Sequence, residues 1–207
     1  MELRYLTLII LLFQLFAAIA ATVTYQKKRP SIEKFLTYFL WGTFLVELIS
    51  AILSRGFSIQ TYLIYNTYML IYILFYLYWY HSIITDKLGK RFIIVFAVLF
   101  LLIGGYDFLT SDGGKLNKYT FLLGAVLTLI CTFLHFRQLL QSNDVLRVSR
   151  TLPFWVSTGL LLFNIGIVPF MLLSDYFNFR DNFYYIMIII VLNFILYGCY
   201  SIGFIWS

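Results

Sequence analysis

Glu47 lies in "YFLWGTFLVELISAIL", with three apolar residues before it and two after it. Removing a carboxyl group from water is costly, so such a residue within an apolar run serves by default to bind a cation, a proton or a polar ligand. The structural alternative is a carboxyl bonded to Asn66 or to a tyrosine. Thr43, Glu47, Ser50 and Ser54 follow one another at i, i+4, i+7 and i+11, which on a helix makes one polar stripe. Four amides, Gln14, Asn66, Asn164 and Asn193, lie in other apolar stretches. Ser157 accompanies Asn164 one heptad earlier, and Tyr197 and Tyr200 share a helical face with Asn193.

The stretch "YNTYMLIYILFYLYWYH" adds six tyrosines in seventeen positions without a charged residue. At 100° per residue Tyr62, Tyr65, Tyr68, Tyr72, Tyr76 and Tyr80 share a face of about 120°, and Tyr78 points away. Tyrosines at a membrane interface are ordinary anchors, which covers Tyr62, Tyr78 and Tyr80. Tyr65, Tyr68, Tyr72 and Tyr76 run deeper, and a buried phenol needs a hydrogen-bond partner. That face is therefore expected to look into a bundle, either as a packed aromatic interface or as the wall of a polar pocket.

The elements that must position these groups follow from composition. Of 207 residues 62% are hydrophobic and 12% charged, against about 25% charged in soluble domains. Breaks at charge and turn residues divide the chain into seven apolar helices, near 5–25, 32–54, 58–84, 91–109, 118–140, 153–174 and 183–206. Each approaches the ~20 residues that cross a hydrocarbon core. The expected fold is an all-α, seven-helix transmembrane bundle forming one domain over residues 1–207. Residues 5–24 are taken as a retained first span, because Gln14 interrupts the apolar run and Lys27, Lys28 and Arg29 follow it.

With seven spans, Lys27, Lys28, Arg29, Lys34, Lys87, Lys90, Arg91, Arg137, Arg147 and Arg150 fall on one side. Arg4, Arg55, Lys115, Lys118 and Arg180 fall on the other. The ten-to-five bias places the first set in the cytoplasm, the N-terminus outside and the C-terminus inside. The acids Asp107, Asp112, Asp175 and Asp181 then lie outside, and Glu33, Asp86 and Asp144 inside. Counting from the outer ends puts Glu47 about 10 Å deep, Asn66 about 12 Å, and Gln14, Asn164 and Asn193 about 14–15 Å. No lysine or arginine shares the depth of Glu47. Five helices thus aim an acid or amide at one layer, and the expected site comprises Glu47, Asn66, Tyr65, Tyr72, Tyr76, Asn164, Asn193, Gln14 and Tyr197. Pro169 should kink the sixth helix outward of Asn164, with Gly166 easing the bend as part of a hinge. Gly104 and Gly105 are expected to permit close helix packing.

Several chemistries are excluded. The short basic clusters between apolar runs form a membrane-sidedness pattern rather than a nucleic-acid surface. A retinal Schiff base needs a lysine in the last span, and residues 183–207 have none. Cys131 and Cys199 read as small buried hydrophobes. No P-loop, HExxH or GxSxG motif occurs. His81 and His135 near cytoplasmic helix ends could face each other across a haem or metal, or serve as interfacial residues; no cofactor or metal is called for.

"YFLWGTFLVELISAIL", "IYNTYMLIYILFYLYWYHSII" and "LPFWVSTGLLLFNIGIVPFML" together resemble a family of seven-span membrane proteins from Bacteroidota. The resemblance covers spans two, three and six, and its sixth-span opening is carried by Pro153, Phe154, Trp155 and Gly159. Pro153 adjoins Phe154 directly, where the family pattern has one residue between them. The resemblance implies a location in a bacterial inner membrane and a signalling partner such as a separately encoded sensor kinase. Two functions are expected to compete. One is a sensor or receptor-like subunit that reads a ligand in the polar layer and acts through its partner. The other is a small carrier of three-plus-one-plus-three helix type, in which Glu47 and Asn66 would correspond to Asn164 and Asn193.

Overall fold

A computed structural model describes residues 2–25, 31–57, 59–110, 115–141, 145–173 and 183–207. Seven α-helices account for most of them: α1 (Glu2–Val23), α2 (Ser31–Gly56), α3 (Tyr62–Ile83), α4 (Lys87–Thr110), α5 (Lys118–Leu140), α6 (Leu152–Leu173) and α7 (Phe183–Trp206). A 3₁₀ segment, Val145–Arg150, precedes α6. No strand occurs among the described residues. The helix ends fall close to the breaks read from the sequence, because charge and turn residues end apolar helices where the backbone must meet water. Lys27, Lys28, Arg29, Asp112, Asp144, Asp175, Arg180 and Asp181, which entered the sidedness argument, lie outside the described residues.

Six helices are long and apolar enough to cross a membrane, and α3 is not among them. Its seven tyrosines lower its hydropathy although it has the length of a span. The described residues are thus all-α, with six membrane-compatible helices among them.

The chain divides into two compact units, Met1–Leu48 with Asn143–Ser207, and Ile49–Ser142. In the first, α7 packs along both α6 and α1. The α6–α7 seam depends on small residues that allow close backbone approach. A Cβ on Gly159 would lie 3.0 Å from Cys199 Cβ and 3.2 Å from the Leu196 carbonyl oxygen. A Cβ on Gly166 would collide with Leu192 Cδ2. Gly166 therefore has a packing role that the hinge reading overlooked. Pro169 lies within α6, which remains helical through Leu173. Trp155 Nε1 donates to the Ser149 carbonyl at 2.7 Å and holds the 3₁₀ segment against α6. Trp41 Nε1 donates to Thr22 Oγ1 at 2.9 Å, joining α1 to α2.

In the second unit α3, α4 and α5 pack against one another. The centre is Ile73, Leu77, Ile93 and Phe100, all at most 2% exposed. Gly124 brings α5 close: a Cβ there would stand 2.6 Å from Ile73 Cγ1 and 3.1 Å from Phe100 Cε2. Gly104 on α4 approaches Leu70 and Thr120 in the same way, whereas Gly105 has nothing within 4 Å. The close-packing expectation therefore applies to Gly104 and not to Gly105.

Candidate functional site

Within each unit, the residues expected in the polar layer make bonds of different kinds. In the first unit, Gln14 on α1 and Tyr197 on α7 meet mid-helix, where Gln14 Nε2 donates to the Tyr197 hydroxyl oxygen at 3.2 Å. Gln14 is 4% exposed and Tyr197 6%. Phe13 stacks edge-on against Phe194 one turn of α7 away, with ring centroids 5.4 Å apart, and gives this contact an apolar wall. The other Gln14 atom, Oε1, is buried with no hydrogen-bond partner. Glu47, half-buried on α2, lies near enough to act electrostatically on the Tyr197 phenol. An acid, a phenol and an amide carbonyl thus converge from three helices of one unit.

Thr43 and Ser50 flank Glu47 on the same helical face and are both buried, as the stripe predicts, whereas Ser54 is exposed. Thr43 Oγ1 donates to the Phe39 carbonyl of its own helix at 3.0 Å. Ser50 Oγ is buried without a partner.

Asn164 and Asn193 turn their amide donors back onto their own helices. Asn164 Nδ2 donates to the Leu160 carbonyl at 2.9 Å, and Asn193 Nδ2 to the Ile189 carbonyl at 2.8 Å. These are local i−4 bonds, and they use donors that the sequence reading had aimed at a shared layer.

Asn66 departs furthest from expectation. Its Nδ2 donates to the Lys115 carbonyl at 2.9 Å and to Asn117 Oδ1 at 3.2 Å, and its Oδ1 accepts from the Asn117 backbone N–H at 3.0 Å. Asn66 therefore fastens the start of α5 to α3, and both its polar atoms are engaged in this staple within the unit. Its signal was legible as Asn117 just ahead of an apolar run, the place for a helix-capping residue. Nearby, Thr120 Oγ1 donates to Asp107 Oδ2, tying α5 to α4.

The tyrosine face also divides. Tyr76 and Tyr80 are buried, Tyr65, Tyr68 and Tyr72 are half-buried, and Tyr78 is 56% exposed, so the outward assignment of Tyr78 holds. The rings form a ladder, with centroids 5.9 Å apart for Tyr68–Tyr72 and 4.7 Å for Tyr72–Tyr76. The buried face of α3 runs through Asn66, Met69, Ile73, Leu77 and Tyr80, about 60° around the helix from the centre of the tyrosine stripe. The hydroxyl groups of Tyr80 and Thr132 of α5 share a hydrogen bond of 2.6 Å. This bond pairs residues 52 positions apart, beyond the reach of periodicity. His135 is buried beside Tyr80, with ring centroids 6.2 Å apart. Among the described residues no three or more His, Cys, Asp or Glu side chains come together to hold a metal ion.

The described residues thus form helices compatible with a membrane, and among them Gln14 Oε1 is a buried polar atom without a hydrogen-bond partner, on a side chain bonded to Tyr197. No protein-family model, curated protein or solved structure matches it.

Proposed function

We propose that the protein is an integral membrane sensor or receptor-like subunit that reads a small polar ligand at Gln14, Tyr197 and Glu47. It crosses the bilayer seven times, including α3, with its N-terminus outside and C-terminus in the cytoplasm of a bacterial inner membrane. It passes the bound state to a separate signalling partner such as a sensor kinase. One observation carries the reading: buried Gln14 Oε1 has no partner beside a phenol and within the electrostatic reach of a carboxyl. An unpaired buried acceptor costs about 1–3 kcal/mol, and a ligand carrying N–H or O–H donors would offset that cost. A cationic amine adds attraction to Glu47 when that carboxyl is ionised.

The grouping of α1 with α6 and α7, and of α3 with α4 and α5, differs from a carrier divided into helices one to three and five to seven. That grouping speaks against the three-plus-one-plus-three carrier alone. The test is to identify small molecules retained by protein purified in mild detergent, and then to measure their uptake into proteoliposomes. A stoichiometric polar molecule lost from Gln14→Leu and Glu47→Leu, without uptake by wild type, is the expected result. Uptake of that molecule would instead make the protein a carrier, and equal retention by both variants would remove the site.

A further inference from the structure

The second unit carries a recess of about 800 Å³ where the end of α3, the start of α4 and the end of α5 meet. Its frame is rigid. Gln138 Oε1 accepts from the Thr85 backbone N–H at 2.7 Å and from Thr85 Oγ1 at 3.1 Å, while Gln138 Nε2 donates to the Ile83 carbonyl at 3.3 Å. Asp86 Oδ2 accepts from the Gly89 N–H at 2.9 Å and caps α4. The α3–α4 turn is therefore pinned to the last turns of α5, and these polar groups are occupied in holding it.

The rest of the lining is amphipathic. Leu88 and Phe92 are 61% and 55% exposed. They line the recess from α4, and Leu134 with Arg137, which is exposed and without an ion pair among the described residues, lines it from α5. Lys87, Lys90 and Arg91 lie on the first turns of α4, so among the described residues this end of the unit carries four basic side chains with Arg137, against the carboxylate of Asp86. An exposed guanidinium and exposed apolar side chains lining one recess, at a positively charged end of the unit, match one class of molecule, with an anionic head and a hydrocarbon tail. We infer that this recess binds an anionic phospholipid of the cytoplasmic leaflet, with its phosphate on Arg137 and an acyl chain along Leu88 and Phe92. Basic recesses between helices on the cytoplasmic side suit such headgroups, and guanidinium matches phosphate with paired donors. The site shares no residue with the Gln14 cluster and rests on the proposed function only for its cytoplasmic sidedness.

The experiment is native mass spectrometry and thermal melting of the full chain in detergent, titrated with phosphatidylglycerol, phosphatidylcholine or inorganic phosphate. Phosphatidylglycerol is expected to bind and raise the melting temperature, and the other two to have little effect. Arg137→Gln should weaken phosphatidylglycerol binding about fivefold, the scale of one basic residue at an anionic surface, while melting like wild type without lipid. Arg55→Gln, at the far end of α2, should leave binding unchanged. Equal binding of phosphatidylcholine, equal stabilisation by phosphate alone, or equal loss from the two arginine variants would overturn the assignment. If Arg137→Gln melts lower without lipid, Leu88→Asp becomes the deciding variant, with weakened binding expected and unchanged binding against the proposal.

Discussion

Asn66 and Gln14 are both buried amides on apolar helices, yet the two units use them in opposite ways. Asn66 forms three bonds to the segment leading into α5, and both its polar atoms are engaged. Gln14 makes one bond, to Tyr197, and leaves its carbonyl unpaired. The difference reflects position. Asn66 sits in the second turn of α3, where a neighbouring non-helical segment offers backbone donors and acceptors. Gln14 sits mid-helix, where surrounding backbone groups are already bonded within their own helices. A buried amide near a helix end can serve as a staple, whereas one at mid-depth is left with a carbonyl of its own helix, as Asn164 is, with another side chain, or with a ligand. The second unit has two such orphans among the described residues, the Ser50 hydroxyl and the buried Trp79 indole N–H.

The contrast can be broken most severely at Asn66. Asn66→Leu would leave the Asn117 N–H and the Lys115 carbonyl without partners, with an expected loss of about 3 kcal/mol. Denaturant unfolding in mixed micelles would measure it, and a loss as small as that of a surface mutation would show that the staple is dispensable. Gly124→Ala comes next, at about 2 kcal/mol, because the added methyl presses on Ile73 and Phe100, which have little room to move. Gly105→Ala, with nothing within 4 Å, should leave melting unchanged or slightly raised, since alanine favours helix. Smallest is Gln14→Leu, expected within about 1 kcal/mol of wild type. It removes an orphaned oxygen together with a bond, and side-chain bonds within membranes average only ~0.6 kcal/mol. A loss from Gln14→Leu as large as that from Asn66→Leu would make both amides structural.

Much of this architecture was legible in the chain. The helices were, because charged and turn residues punctuate apolar runs. The buried stripe of Thr43 and Ser50 was, and so was outward Tyr78, because helical periodicity sorts faces. Partners were not legible. The period of α3 gives its tyrosine face but not the neighbouring helix, so the Tyr80–Thr132 bond and the offset of the buried face from the tyrosine stripe stayed hidden. Depth counting put Asn66, Asn164 and Asn193 in one layer, but depth does not give partners, and each amide donates to a backbone carbonyl: Lys115, Leu160 and Ile189. The packing role of Gly166 was hidden for a related reason: a glycine near a proline suggests a kink, while its contact with Leu192 needs the register of α7. Gln14 was singled out correctly as a polar interruption, but nothing in the sequence joined it to Tyr197, 183 residues away.

The central claim is that the Gln14 cluster is a site that opens to exchange a ligand. The most direct measurement is the reaction of a cysteine placed there with a small charged thiol reagent, in a background where Cys131 and Cys199 are alanine. A ligand site must admit water and polar solutes during exchange, so Gln14→Cys should react. Phe16→Cys, on a residue 62% exposed on the same apolar helix, would face lipid in the bilayer and should remain inert to a charged reagent. Prior addition of the retained ligand should slow the Gln14→Cys reaction. If Gln14→Cys proves as inert as Phe16→Cys, with both proteins folded, the cluster is sealed core and the sensing account is contradicted.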